Sequence, residues 1–219
     1  MPVTDYLVRN AELYPDEVAL VELNPDEKDT RRTTWKEFDL IQPINNMPYR
    51  REITWSVFNE KANRFANMLL SRGVKKGDKV AILMYNCLEW LPIYFGVLKT
   101  GAIAVPFNFR YDSDEIYYCA ELAQVDVIVF GFAFIGRIEV NAERLSRGRL
   151  LIYVGDNCPS FAESYHELVA DCSSKEPDVK ITEDDYGAIY FSSGTTGFPK
   201  AILHKHQSLT QAAIMEQKH

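Results

Sequence analysis

The segment AIYFSSGTTGFPKAILHKH, residues 188–206, combines residue types that bind phosphate groups. Its glycines let backbone N–H groups approach an anion closely and turn toward it. Its hydroxyls add hydrogen-bond donors, and its lysine adds a full positive charge. An apolar strand precedes the polar part, and the carboxyl end of a strand is a favoured ligand position in α/β sheets. We therefore predict a phosphate-binding loop made of Ser192, Ser193, Gly194, Thr195, Thr196, Gly197 and Lys200.

The pattern S-G-T-T-G-x-P-K is too specific to be an ordinary polar turn. Its seven specified positions give a chance match of about 10⁻⁹ per start position at average residue usage. It is not a Walker A loop, which requires GxxxxGK[ST] opening a helix, because Lys200 follows Pro199 and precedes the strand-like AILH. The chain contains no GxSxG elbow and no GxGxxG fingerprint, so hydrolase chemistry and a Rossmann dinucleotide site have no support.

Two other groups of side chains are weaker candidates. His204 and His206 are two apart on a predicted strand, so both are expected to face one side. No third His or Cys lies nearby in sequence, and we assign no metal site. The acidic run at 183–185 is interpreted as a solvated loop that leads into the strand before the phosphate loop, and no catalytic residue is assigned.

The elements that position this loop alternate along the chain. Short apolar runs alternate with helical patterns, which is typical of a mostly parallel sheet buried on both faces. The predicted fold class is therefore α/β, with helices on both faces of the sheet, in one unit. We predict strands at 18–23, 79–84, 102–107, 125–130, 150–154 and 187–191. We predict helices at 86–101, 112–123 and 161–170, and a helix whose apolar face runs from Phe58 to Leu70 and which ends at Gly73.

Local signals refine this pattern. Asn86 with Glu89, and Asp112 with Glu115, are predicted helix caps. The first fifty residues are expected to be irregular apart from one strand, although RRTTWKEF at 31–38, which is repeated as REITWSVF at 51–58, carries a capping box formed by Thr34 and Glu37. Two aromatic or apolar stripes are assigned to the core, one made of Trp90, Ile93, Tyr94, Val97 and Leu98 and the other of Tyr117, Tyr118 and Leu122.

Composition limits the function classes. The 219 residues are 47% apolar and carry a net charge of −7, which describes a chain with a real core and argues against a broad nucleic-acid-binding surface. The four cysteines have no CxxC spacing and are interpreted as reduced thiols. No signal peptide is evident, and the longest apolar run, residues 90–98, is far short of the ~20 residues that span a bilayer. We expect a cytoplasmic location.

The loop and its surroundings resemble the adenylate-forming ligases, a family that includes acyl-CoA synthetases, luciferases and peptide-synthetase adenylation domains. The signature of that family reads T-S-G-T-T-G-x-P-K-G after an acidic residue and an apolar strand. This chain departs from it at Ser192, which keeps the hydroxyl, and at Ala201, which restricts the backbone after the lysine. The stretch 54–110 is similar throughout, and VPFNFR, with Asn108, resembles the VPLNPR of acyl-CoA synthetases.

The resemblance implies a two-step reaction with Mg²⁺-ATP and coenzyme A. A carboxylate, with a fatty acid as the first candidate, attacks the α-phosphate to form an acyl-adenylate, and the thiol of coenzyme A then takes the acyl group. Residues Ser192–Thr196 and Lys200 would hold the β- and γ-phosphates. The adenine and ribose sites and the catalytic lysine of the family would lie beyond residue 219. We therefore expect residues 1–219 to form the N-terminal part of an AMP-binding domain without the C-terminal domain, inactive alone.

Two alternatives remain open at this point. The chain is either an NTP-binding protein of another enzyme class, which hydrolyses ATP without any carboxylate, or a non-catalytic interaction fragment with no affinity for nucleotides. The partners implied by the resemblance are small molecules, namely the acid, ATP and coenzyme A. No nucleic acid is among them, and the identity of the acid and the oligomeric state are not assigned.

Overall fold

The computed structural model describes residues 1–24, 48–192 and 199–217. The strands are β1 (Val18–Leu23), β2 (Arg50–Thr54), β3 (Lys79–Leu83), β4 (Ile103–Pro106), β5 (Val127–Gly131), β6 (Leu150–Val154), β7 (Glu163–Ser164), β8 (Tyr186–Ser192) and β9 (Lys200–Lys205). The helices are α1 (Val3–Leu13), α2 (Trp55–Ser71), α3 (Trp90–Lys99), α4 (Ser113–Ala123), α5 (Ile135–Glu139), α6 (Ala142–Leu145), α7 (Tyr165–Ala170) and α8 (His206–Gln217).

The predicted α/β fold class is confirmed. In the described part of the chain, one sheet has the strand order β7-β6-β5-β3-β4-β8-β9, and only the edge strand β9 runs antiparallel to its neighbour. A separate antiparallel pair, β1 and β2, packs beside α2. None of the helices in the described ranges is long and apolar enough to cross a membrane.

Alternate residues of the central strands feed two cores. In β3, Ala81 and Leu83 face one core and Val80 and Ile82 face the other, as the two-residue period of a strand requires. Helices α4, α5 and α6 close the first core, and α2, α3 and α7 close the second. The two-sided burial makes these strands almost wholly apolar, which is why their positions were legible in the sequence.

The predicted start of the helix at 86–101 is wrong. Asn86 does not cap it; α3 begins at Trp90 after Glu89, and no side chain caps it. The backbone N–H of Leu88 instead donates to the carboxylate of Glu22 at 3.2 Å. This bond ties the turn to β1. The cap at Asp112 and Glu115, by contrast, is confirmed as a reciprocal capping box.

Three further predictions are corrected. Tyr118 and Leu122 are 36% and 46% exposed, because α4 buries the face that carries Ile116, Cys119, Ala120 and Ala123; Tyr117 is half-buried under the guanidinium of Arg144. The helix predicted at 161–170 begins only at Tyr165, because β7 pairs with β6 just before it. Residues 3–13 are not irregular, since α1 occupies them, whereas the strand predicted at 18–23 is confirmed as β1. The capping box at Thr34 and Glu37 lies outside the described residues.

Helices α2 and α3 approach closely at Gly96. A Cβ atom on Gly96 would lie 2.8 Å from the carbonyl oxygen of Ala62 and 2.9 Å from Cδ1 of Phe65. Phe65 is fully buried, so its ring has no free space to move into. The glycine is therefore required by the contact between the two helices.

We expect Gly96→Ala to lower the free energy of unfolding by about 1–3 kcal/mol, because the added methyl overpacks a closed contact. Urea unfolding followed by circular dichroism measures this. Gly136→Ala is the matched control, since a Cβ atom there meets nothing within 4 Å, and it should cause no loss. Equal unfolding midpoints for the two variants would contradict the packing argument.

Candidate functional site

The predicted phosphate loop connects the last two strands of the sheet. Ser192 ends β8, Lys200 begins β9, and the two residues are register partners across the hairpin. Ser193, Gly194, Thr195, Thr196 and Gly197 lie outside the described residues. The structure thus places the two ends of the loop side by side, with the hydroxyl residue half-buried and the lysine exposed.

The loop follows the carboxyl-terminal end of β8, on the same side of the sheet as the turns that follow the other parallel strands. Strand β8 pairs in parallel with β4 through Ala188 and Ala104, so the carboxyl ends of both strands point the same way. The ring of Phe191 packs against Phe107, with centroids 5.8 Å apart, and against Tyr111 at 6.4 Å. This aromatic contact joins the last residues of β8, just before the loop, to the segment that follows β4.

Arg137 holds that segment in place. Its Nη1 donates to the backbone carbonyls of Phe109 at 2.6 Å and Tyr111 at 3.0 Å. Tyr85, from the turn after β3, packs on Phe109 with centroids 5.6 Å apart. The turn after β3, the segment after β4 and helix α5, which follows β5, are therefore fixed to each other at the carboxyl-terminal end of the sheet.

Aromatic side chains also line the opposite face of β8. The hydroxyls of Tyr94 and Tyr190 are 2.9 Å apart, Trp90 stacks on Tyr94, and His204 lies edge-on to Tyr190. Burial, with a smaller contribution from Tyr190, raises the pKa of Tyr94 above its usual range. The Tyr94 hydroxyl therefore stays protonated, and its hydrogen bond with Tyr190 ties α3 to β8. The core assignment of the stripe on α3 is confirmed, although Trp90 is only half-buried.

The acidic run at 183–185 anchors the start of β8. Asp185 accepts hydrogen bonds from Nζ of Lys76 at 2.6 Å and from the backbone N–H and hydroxyl of Thr182 at 2.7 and 3.1 Å. Burial alone would raise the pKa of Asp185, but these donors outweigh it and hold the pKa below the usual value. Asp184 pairs with Lys205 on the surface. These carboxylates are thus engaged in structural contacts.

The two histidines do not share one strand. His204 is half-buried in β9, whereas His206 is the first residue of α8 and has no exposed surface. The prediction that both lie on one strand is therefore wrong, because β9 ends at Lys205, between them. Within residues 1–24, 48–192 and 199–217, no cluster of three His, Cys, Asp or Glu side chains has the geometry to hold a metal ion.

All four cysteines are free thiols, as predicted. Burial, reinforced by the nearby Glu89, raises the pKa of Cys87 to about 12, so this thiol is not a ready nucleophile.

Sequence reasoning missed Arg137 and the Tyr94–Tyr190 pair. Arg137 contacts carbonyls 26 and 28 residues away, and the tyrosines are 96 residues apart. No local spacing carries such a signal, because the partners meet only when the sheet has formed.

Comparison with known proteins gives a consistent result. The family model described as "AMP-binding enzyme" matches residues 7–218. The long-chain-fatty-acid–CoA ligase FadD13 of Mycobacterium tuberculosis is 33% identical over 162 residues, which cover 74% of this chain and 31% of the relative. A 3-hydroxybenzoate–CoA/4-hydroxybenzoate–CoA ligase from Thauera aromatica is 31% identical over 171 residues, covering 77% and 32%. The chain spans about a third of the length of these curated relatives.

Solved structures agree. The anthranilate CoA ligase AuaEII, solved in complex with anthranoyl-AMP, has a TM-score of 0.78 at 25% identity over 94% of this chain and 35% of that one. The inhibitor-bound N-terminal domain of FACL13 from Mycobacterium tuberculosis has a TM-score of 0.70 at 25% identity, covering 95% and 45%.

We expect Arg137→Ala to loosen the segment after β4. Removing the guanidinium leaves two carbonyls without their donor and should cost about 1–3 kcal/mol of unfolding free energy. Hydrogen exchange of the amides at 107–112 should accelerate, which mass spectrometry measures. Arg147→Ala is the control, because its pair with Glu143 is exposed and should contribute little. Unchanged protection at 107–112 in Arg137→Ala would refute the role given to Arg137.

Proposed function

Because this chain belongs to the AMP-binding enzyme family, we propose that it is the ATP-phosphate-binding part of an ATP-dependent carboxylic acid:CoA ligase. The observation that carries the proposal is the hairpin, which places Ser192 and Lys200 opposite each other at the two ends of the S-G-T-T-G-x-P-K sequence. We further propose that the 219 residues correspond to the N-terminal part of an AMP-binding domain.

The proposed reaction has two steps. The carboxylate of the acid attacks the α-phosphate of ATP, the bond to the β-phosphate breaks, and acyl-adenylate and pyrophosphate form. The thiol of coenzyme A then attacks the acyl carbon and releases AMP. In the first step, Ser192, Lys200 and the loop residues Ser193, Gly194, Thr195, Thr196 and Gly197 hold the β- and γ-phosphates and neutralise the leaving pyrophosphate. ATP enters as its Mg²⁺ complex, and the metal supplies further positive charge on the phosphates.

A fatty acid is the first substrate to test. The relative at 33% identity is a long-chain-fatty-acid–CoA ligase, but a relative at 31% is a hydroxybenzoate–CoA ligase. Aromatic and aliphatic acids therefore both belong in the panel. We expect the 219 residues alone to form no acyl-adenylate, because they span about a third of the length of these relatives.

The test is carboxylate-dependent ATP–pyrophosphate exchange by the whole polypeptide that contains this chain. Lys200→Ala should reduce kcat/KM by about 10²-fold, because one charged donor to the leaving group is lost. Lys205→Ala is the matched control: it removes the same charge from the same strand, about 17 Å away at strand spacing, and should retain exchange activity.

The outcomes separate the alternatives. Steady ATP hydrolysis without any acid would indicate an NTP-binding enzyme of another class. Absence of nucleotide affinity, with no effect of Lys200→Ala, would indicate a non-catalytic interaction fragment. Acyl-adenylate formed by the isolated 219 residues would overturn the expectation that they are inactive alone.

A further inference from the structure

His206 occupies the open end of the hairpin that carries the phosphate loop. It is the first residue of α8, directly after β9. Its backbone N–H donates to the carbonyl of Asp185 at 2.9 Å, and the next residue, Gln207, donates to the carbonyl of Glu183 at 2.9 Å. These two bonds tie the end of β9 to the start of β8, opposite the loop end of the hairpin.

The imidazole ring of His206 packs against Gly187 of β8. A Cβ atom on Gly187 would lie 3.3 Å from Cδ2 and 3.4 Å from Nε2 of His206, and 3.1 Å from Cδ1 of Leu209. The ring thus fills the space that a side chain at 187 would need. Its position and the path of β8 depend on each other.

The polar ring of His206 is buried without hydrogen bonds that would offset the loss of water. It has no exposed surface, and neither ring nitrogen has a hydrogen-bond partner among residues 1–24, 48–192 and 199–217. Burial lowers the pKa of His206; Asp185 opposes this effect and Lys76 adds to it. Asp185 is already engaged with Lys76 and Thr182. The site therefore accepts a neutral imidazole and has no free counter-ion for a protonated one.

The neighbouring charges are paired elsewhere. Lys205, the preceding residue, donates to Asp184, and Glu183 pairs with the N-terminal amine of Met1. The position combines a titratable group, tight packing and a direct bond to the root of β8. An apolar residue here would keep the packing and the backbone bond but could not titrate.

We propose that His206 is a positioning residue for nucleotide binding: its ring, seated on Gly187, holds the open end of the β8–β9 hairpin and so fixes where Ser192 and Lys200 lie relative to the phosphates. The inference rests on the proposed function. It makes nucleotide binding sensitive to pH through a group that does not touch the nucleotide.

The sign of the pH effect follows from the burial. A histidine whose pKa is lower in the closed hairpin than in the opened one loses closed-state stability as pH falls below the ordinary pKa of about 6.5. Above that value the stabilisation is complete. At pH 5.5 the equilibrium constant for opening should therefore be up to about tenfold larger than at pH 7.5.

The experiment compares the wild-type whole polypeptide with His206→Phe, which keeps a ring but cannot titrate. Hydrogen exchange of amides in β8 and β9, corrected for intrinsic rates, is measured at pH 7.5 and 5.5. Protection should fall up to tenfold in the wild type and stay nearly constant in His206→Phe. Between pH 7.5 and 5.5, the KM for ATP in the exchange assay should rise more in the wild type than in His206→Phe, with kcat less affected, because only the wild type also loses part of its closed hairpin.

Two variants and one control keep the test decisive. His206→Gln replaces His206→Phe if the larger ring prevents folding, because it also removes the titration. Gly187→Ala pushes on the ring and should raise the KM for ATP severalfold at both pH values. His166→Phe changes an exposed histidine on α7 and should keep the wild-type pH response.

An identical pH response in wild type and His206→Phe would overturn the proposal. A loss of thermal stability in Gly187→Ala with unchanged KM for ATP would also overturn it, because a merely structural role predicts that result. A wild-type protein without carboxylate-dependent exchange refutes the proposed function instead, and amide protection in β8 and β9 then decides by itself whether His206 controls the hairpin.

Discussion

The burial of the central strands on both faces is the constraint on which the rest of the structure depends. Residues of β3, β4, β5 and β6 alternate between two apolar cores, and each buried Å² of apolar surface contributes about 25 cal/mol. Helices must therefore cover both faces, and the crossovers that supply them make the strands parallel. The carboxyl ends of parallel strands all lie on one side of the sheet, and the candidate site lies on that side.

Polar contacts hold the irregular segment at residues 173–176, which neither apolar core contains, against helices α2 and α3. One face of α2 presents side-chain donors to the irregular segment after α7: Asn63 bonds the carbonyl of Ser174, and Asn67 bonds those of Ser173 and Lys175. These donors satisfy carbonyls that no strand or helix serves. Lys99, almost completely buried, closes the network by donating to Glu176 at 2.5 Å. The segment that leads into β8 is thereby held against the helices.

The β8–β9 hairpin differs from the sheet it extends. Beyond Ile189 the residues of β8 are only partly covered, and most of β9 is exposed. Lysines at both ends of β9 are typical of a protected sheet edge. The predicted phosphate loop connects two strands that are anchored at both ends. Asp185 and the buried ring of His206 hold the end of the hairpin away from the loop, and Phe191 packs against Phe107 at the end next to the loop. Anchoring at these points fixes the positions of Ser192 and Lys200, the two ends of that loop.

The sequence by itself determined the fold class and most of the strands, and it carries the pattern on which the predicted phosphate loop rests. Continuous apolar runs and a specific spacing of glycines, hydroxyls and lysine are local signals that can be recognised without knowledge of their contacts. Tertiary structure decided the rest. The rotation of α4, the late start of α3 and the contacts of Arg137, Tyr94 and His206 depend on partners 20 to 100 residues away. Such partners meet only after the sheet has formed, so no local pattern records them.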